Sequence, residues 1–547
     1  MKRLMTLGAV TAVLAIAVFA LGLGACTSSD DASSTSAQSA QDAEDGAIVR
    51  SMPGLDDATL AVMNQPEYAN GRWAISVRDI DSGETLMALN ADTMAEPGSA
   101  MKSDSVGAAW LEWGPDHTVT TPVKRTGEVV DGTVQGDLVL VGKGDLTMGG
   151  RTKPDGTVDF ADLDHNDANP LPGATLTPED PLTGLDDLAT QVKQSGIDAV
   201  SGQVVVDDRL FQSSLAGEAI TPIIINQNII DVTTTPAAVG QTATVAMRPA
   251  VAPWTVTSEV QTVAAGGETD ISIDSPADGQ IVVSGTIAAD SDPDLKVQVL
   301  EDPSTFARTA FIEALGRAGV NVGADPVAAN STATLADQTA VDALPTVASL
   351  ESLPFEEDAT YVMKVSYNRG AQTLVCLLAT ASGTYLPDAR PGTECNGCLG
   401  HAADLWREAG LDTTGASVID GSGLDGNLVT PTNQNELQMI MAKRPDGERW
   451  QSTLPILGVD GSLASVMADS PAAGKVFAKT GTLVEGDEFN GRLRLSTKAL
   501  GGVIDAESGR RLAFTIIVNQ GFFDGIDGVF EANDDVGAVA ASIQQHF

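Results

Sequence analysis

Apolar and polar positions alternate in two runs soon after residue 70, at 73–79 and 84–90, and each reads as a half-buried strand. Asp81-Ser82-Gly83 between them supplies turn residues, so the pair predicts a β-hairpin. Pro97-Gly98-Ser99 then punctuates the chain, and a helix-compatible stretch runs over 99–113. From about 118 to 344 the pattern changes to short β-like runs such as DLVLVGKGD, GQVVVDD and QIVVSGTIAA, rich in Gly, Thr, Val and Asp. This predicts one or two mostly β modules, interrupted by a helical period over 305–318. The last third is mixed, with helical signals at 367–379 and 399–409, strand signals at 475–479 and 511–518, and a closing helix from about 535. An early hairpin and late strands are compatible with one antiparallel sheet, which would place the middle of the chain as an insertion. The stretch LVEGDEFNGRLRLSTK after Thr482 reads as a loop.

The start of the chain bears on compartment. Met1-Lys2-Arg3 is followed by an apolar run and then Leu23-Gly24-Ala25-Cys26. A basic head, an apolar stretch and small residues before a cut point make an export signal. Small residues directly before Cys26 resemble a lipobox, in which that cysteine becomes lipid-modified and N-terminal. An uncleaved membrane span and an ordinary cleaved signal are the alternatives. Residues that follow are Ser, Thr, Ala, Gln and Asp with little to bury, a flexible tether. The expected organisation is a signal over 1–26, a tether over 27–50, one domain built from 51–120 and 345–547, and inserted β modules over 121–344. Cys395-x-x-Cys398 suits a local disulfide outside the cell, and Cys376 within LVCLLA suits a buried thiol.

Composition narrows function more than fold. The 547 residues carry a formal net charge of −43, with 43% hydrophobic and 19% charged residues. Such a chain can build a large core, and its acidity disfavours nucleic-acid binding, which needs clustered Lys and Arg. Only four histidines are present and no G-x-S-x-G elbow occurs, so a Ser-His-Asp hydrolase is disfavoured. The G-x-G-x-x-G match at 421–426 lacks a surrounding βαβ unit and reads as a loop. No metal or organic cofactor is indicated.

Three short motifs carry chemistry together. Ser99-Ala-Met-Lys102 puts a hydroxyl and an amine three residues apart on one helix face, where neutral Lys102 can activate Ser99 as a nucleophile. Ser366-Tyr367-Asn368 gives S-x-N, and Lys479-Thr480-Gly481-Thr482 gives K-T-G-T after a strand-like run. In this order they form the signature of penicillin-binding enzymes and serine β-lactamases. Lys479, Thr480 and Thr482 would bind a substrate carboxylate, and Gly481 would leave the strand edge open for an added peptide strand. Ser366 would pass a proton, Asn368 would hold the substrate amide and Lys102, and the backbone N–H groups of Ser99 and Thr482 would stabilise an oxyanion. The two lysines should lower each other's pKa.

The sequence resembles the class C low-molecular-mass penicillin-binding proteins, the serine D-Ala-D-Ala carboxypeptidases/endopeptidases. The resemblance rests on the hairpin into PGSAMK, on QGDLVLVGKGDLTM, on the gap of about 265 residues between Ser99 and Ser366, and on the block from Asp420-Gly-Ser-Gly through K-T-G-T to RLAFTIIVN. It implies an α+β fold, a transpeptidase-like domain with an antiparallel sheet flanked by helices, carrying mostly β modules between the first and second motifs. It also implies acylation of Ser99, peptidoglycan peptides and β-lactams as ligands, and an extracytoplasmic, lipid-anchored location. A non-catalytic wall-binding lipoprotein, or a β-lactamase or esterase on the same frame, are the competing readings.

Overall fold

The early hairpin forms, and it lies near one edge of the largest sheet. In the computed structural model, which describes residues 49, 51–385 and 398–547, β1 (Arg72–Asp79) and β2 (Thr85–Leu89) pair antiparallel. β3 (Val476–Asp487), β4 (Arg492–Asp505) and β5 (Arg511–Phe523) complete a five-stranded sheet of order β2-β1-β5-β4-β3, antiparallel throughout. Strands separated by almost 400 residues of chain thus share one ladder, and the K-T-G-T motif falls on its edge strand, β3.

The segment after Thr482 is not a loop. It is the hairpin of β3 and β4, with Asp487 opposite Arg492. Asn490-Gly491 makes the turn, Gly491 taking φ 66° while its N–H donates to Asp487 O at 2.8 Å. Positive φ at this point suits glycine. Period-two alternation in RLRLSTK then continues straight into the buried run of β4.

Each sheet face buries a different partner. On one, Val476, Ala478, Leu500, Ile504, Phe514 and Ile516 meet Val536, Val539 and Ile543 of the closing helix, Ile526–His546. On the other, Ala74, Ala499 and Ile517 meet Ala100 and Met101. Small side chains there let the start of helix α1 (Lys102–Trp113) approach the strands. Helix α1 is preceded by a 3-10 turn, Gly98–Met101, so Ser99 sits in the turn and Lys102 opens the α-helix.

The chain departs along Thr120–Arg125 and returns along Thr346–Glu351, and these two strands pair antiparallel with Thr120 opposite Glu351. Between them lie further sheets, mostly antiparallel, and two well-packed helices, Thr183–Gln194 and Pro303–Arg317. Their own core gathers Leu185, Leu188, Val204, Val206, Phe311 and Leu315. The α+β class expected from the sequence is the class observed. Cys376 is a buried free thiol in helix α2 (Asn368–Ser382), and Cys398 is disulfide-bonded. Cys26, Cys395, the export signal and nearly all of the tether lie outside the described residues.

Candidate active site

Glycines draw the three motifs onto one another. A Cβ on Gly481 would stand 2.0 Å from Pro97 O, and one on Gly423 would stand 2.0 Å from Gly98 O. Gly98 itself has φ 53°, and a Cβ there would stand 2.9 Å from Thr482 N. Only bare backbone permits such contact on all three sides of the turn that carries Ser99. Gly481 therefore does more than leave an edge open, because it lets the strand seat against Pro97.

Lys102 is the hub. Its Nζ lies 2.7 Å from Ser99 Oγ, 2.6 Å from Asn368 Oδ1 and 2.9 Å from Ser422 O. Two of these partners, the amide oxygen and the backbone carbonyl, can only accept. A neutral amine gives them its two hydrogens and turns its lone pair to the serine hydroxyl, the arrangement a general base needs. Burial favours that neutral form, lowering the Lys102 pKa from 10.5 to about 7 against the opposing pull of Asp420 and Asp167. The expected mutual lowering by the two lysines therefore runs one way: Lys102 lowers Lys479, while removal from water lowers Lys102.

Ser422 was missed in the sequence, where the glycine-rich run read simply as a loop. It is a loop, and its carbonyl is aimed by design of the surrounding hydrogen bonds. Asp420 Oδ1 accepts from Ser422 N, Ser422 Oγ and Gly423 N, while Oδ2 accepts from Asn427 Nδ2. Gln372 Oε1 accepts from Gly421 N, and Ser105 Oγ donates to Gly421 O.

Ser366 is half-buried two residues before Asn368, in the left-handed region at φ 59°. A serine there is strained, and such strain persists only when neighbours over-determine it. Here Tyr367 N donates to Val362 O, and Asn166 Nδ2 donates to Val365 O at 3.1 Å. Its hydroxyl makes no hydrogen bond to Lys102, whose third partner is Asn368 instead.

Lys479 is fully buried and donates to Thr480 O at 3.0 Å. Burial first, then the neighbouring charges of Lys102 and Lys498, hold its ammonium well below the usual range. Thr480 Oγ1 shares a hydrogen bond of 2.7 Å with Ser462 Oγ. Thr482 is half-buried and accepts from Lys498 Nζ at 2.6 Å. Ser462 and Lys498 were not foreseen. Nor was Asp167, on the 3-10 turn His165–Asp167, whose carboxyl burial raises to about 6 while Lys102 and Lys479 pull it down.

A serine hydroxyl facing a neutral buried lysine, an S-x-N turn and a K-T-G-T edge strand on an α+β frame define a serine peptidase of the penicillin-binding type. The family model described as D-Ala-D-Ala carboxypeptidase 3 (S13) matches residues 57–533, and the chain belongs to that family. A D-alanyl-D-alanine carboxypeptidase of Actinomadura sp. (strain R39) is 28% identical over 497 residues, covering 84% of this chain and 80% of that protein. The carboxypeptidase DacB of Mycolicibacterium smegmatis is 31% identical over 182 residues, covering 32% of this chain and 36% of that one. Among solved structures, penicillin binding protein 4 of Haemophilus influenzae superposes with a TM-score of 0.61 at 18% identity, covering 85% of this chain and 93% of the other. That likeness is one of fold.

Proposed function

We propose that this cleft removes the terminal D-Ala from peptidoglycan stem peptides, and opens cross-links of the same chemistry, through an acyl-enzyme on Ser99. The observation that carries this is the Lys102 amine, buried, held by two acceptor-only oxygens and 2.7 Å from Ser99 Oγ. Lys102 takes the hydroxyl proton as Oγ attacks the carbonyl of the penultimate D-Ala. Backbone N–H groups of Ser99 and Thr482 receive the oxyanion. Ser366 and Lys102 return the proton to the leaving amine, and water then releases the acyl group. Asn368 holds Lys102 and the substrate amide, while Lys479, Thr480 and Thr482 hold the terminal carboxylate. Gly481 keeps the β3 edge open to the peptide.

The compartment follows from the start of the chain. The lipobox-like run before Cys26 supports lipid anchoring at the outer face of the cytoplasmic membrane, with residues 27–50 as the tether. Replacing Cys26 with Ala should release the protein from membranes, and unchanged membrane retention would refute the anchor. We divide the folded body into a catalytic domain (51–120 and 345–547) carrying inserted modules (121–344), a division supported by the sheet shared between the two ends.

Mass spectrometry after exposure to penicillin tests the catalytic reading. The expected result is one adduct on Ser99, together with D-Ala release from a tripeptide ending in D-Ala-D-Ala. No adduct would favour a non-catalytic wall-binding protein. Rapid β-lactam turnover without D-Ala release would favour a β-lactamase on this frame.

A further inference from the structure

Lys498 lies in β4 directly opposite Thr482 of the K-T-G-T motif. It is only 2% exposed, and among the described residues its side chain makes one hydrogen bond, the 2.6 Å contact to Thr482 Oγ1. Among the described residues, no carboxylate lies within ion-pair distance of Lys498, nor of Lys479. A buried amine without a counter-ion is costly, and an apolar side chain of similar length would fill the same space without that cost. What the lysine supplies instead is direction and charge. In its protonated form the amine only donates, and Thr482 Oγ1 is then the acceptor in this bond. The threonine hydroxyl hydrogen then turns away from Lys498, and among the described residues it has no acceptor. A second buried amine, Lys479, lies beside Thr480, donating to its carbonyl at 3.0 Å and standing 3.4 Å from its hydroxyl, which also shares a hydrogen bond with Ser462.

Resting on the function proposed above, we infer that Lys498 is a positioning residue that selects substrates bearing a free carboxylate next to the leaving nitrogen. It aims the Thr482 hydroxyl at that carboxylate and places a positive charge directly behind it. Lys479 and Lys498 together then make a seat of two buried amines around the Thr480 and Thr482 hydroxyls, whose protonated forms a bound anion favours. Burial, which lowers the Lys498 amine from 10.5 to about 7, would be relieved when the seat is filled by an anion. The selected class is a peptide or β-lactam with a free α-carboxylate, in preference to its ester or carboxamide.

The test compares Ser99 acylation by a penicillin and by its methyl ester, in wild type, K498M and K498R. A charge-assisted hydrogen bond removed from carboxylate binding predicts about a tenfold slower second-order rate with the acid in K498M. The acid-to-ester rate ratio should fall by about the same factor, and an unchanged thermal midpoint reports that the variant is folded. K498R, which keeps charge and donors, should restore much of the preference for the acid. With a D-Ala-D-Ala peptide, K498M should raise KM by a similar factor and leave kcat nearly constant. Equal slowing of acid and ester would overturn the inference and make Lys498 a structural prop, and no change with either would overturn it as well. Wild type that reacts with neither compound would fail before any substitution is considered, removing the functional reading itself.

Discussion

At the scale of single residues, the proposed chemistry depends on one amine being neutral. Lys102→Ala should slow acylation by about 10²–10⁴-fold, the usual worth of a general base. Ser99→Ala should abolish the adduct while leaving the thermal transition in place. The pH dependence has a definite sign. Below about 7 the Lys102 lone pair carries a proton, so acylation should fall about tenfold per unit there and reach a plateau above it. The penicillin ester is the right probe, because it does not depend on the charge of Lys498. A profile flat between pH 5 and 9 would refute the role given to Lys102. Glycine contacts supply a second test at this scale. Gly481→Ala forces a Cβ to 2.0 Å from a backbone oxygen and should cost roughly 1–3 kcal/mol, with acylation lost as the turn moves. Gly486→Ala, on the same strand with open space around it, should stay within about 0.5 kcal/mol of wild type.

At the scale of elements, a buried network ties the modules between the first two motifs to the catalytic turn. Arg151 donates twice to Asp164 at 2.7 Å and also to His165 Nε2 at 2.8 Å. Because the guanidinium only donates, Nε2 must be unprotonated, so Nδ1–H faces Asp231 Oδ1 at 2.8 Å and the tautomer is fixed. Arg151 also lies over the Tyr361 ring, 4.9 Å from its centroid, and Tyr361 packs against Tyr367 beside the strained Ser366. Arg151→Ala strands a buried carboxylate and should cost about 3–5 kcal/mol, measured by denaturant unfolding. A loss below about 1 kcal/mol would show that the network does not brace the fold. None of these partners was legible in the sequence, because Asp231 is 66 residues from His165. The same reason explains Ser422, Asp167 and Lys498. The three motifs could be read because each is a local run whose chemistry depends on side chains no more than three residues apart. A backbone carbonyl aimed by a distant loop leaves no such pattern. The β3–β4 hairpin is different: Asn490-Gly491 between alternating runs was a readable turn signal, outweighed by the polar residues around it.

At the scale of the whole molecule, the charge distribution is divided. The chain has 74 acidic and 31 basic residues, yet three buried lysines gather around the cleft with, among the described residues, no carboxylate within ion-pair distance. An acidic exterior repels itself in the folded state more than in the expanded chain, since folding brings like charges closer. Added salt screens that repulsion, with a Debye length falling from about 30 Å at 0.01 M to about 8 Å at 0.15 M. Surface ion pairs such as Arg317–Asp186 and Arg407–Asp404 are weakened by the same screening, but exposed pairs contribute only about 0–1 kcal/mol each. With an excess of 43 negative charges the repulsive part should win. The thermal midpoint should therefore rise by a few degrees between 0.01 and 0.15 M NaCl at pH 7, a range in which screening dominates over salt effects on apolar hydration. A midpoint that falls over this range would mean that specific ion pairs, and not the net charge, govern the stability of the fold.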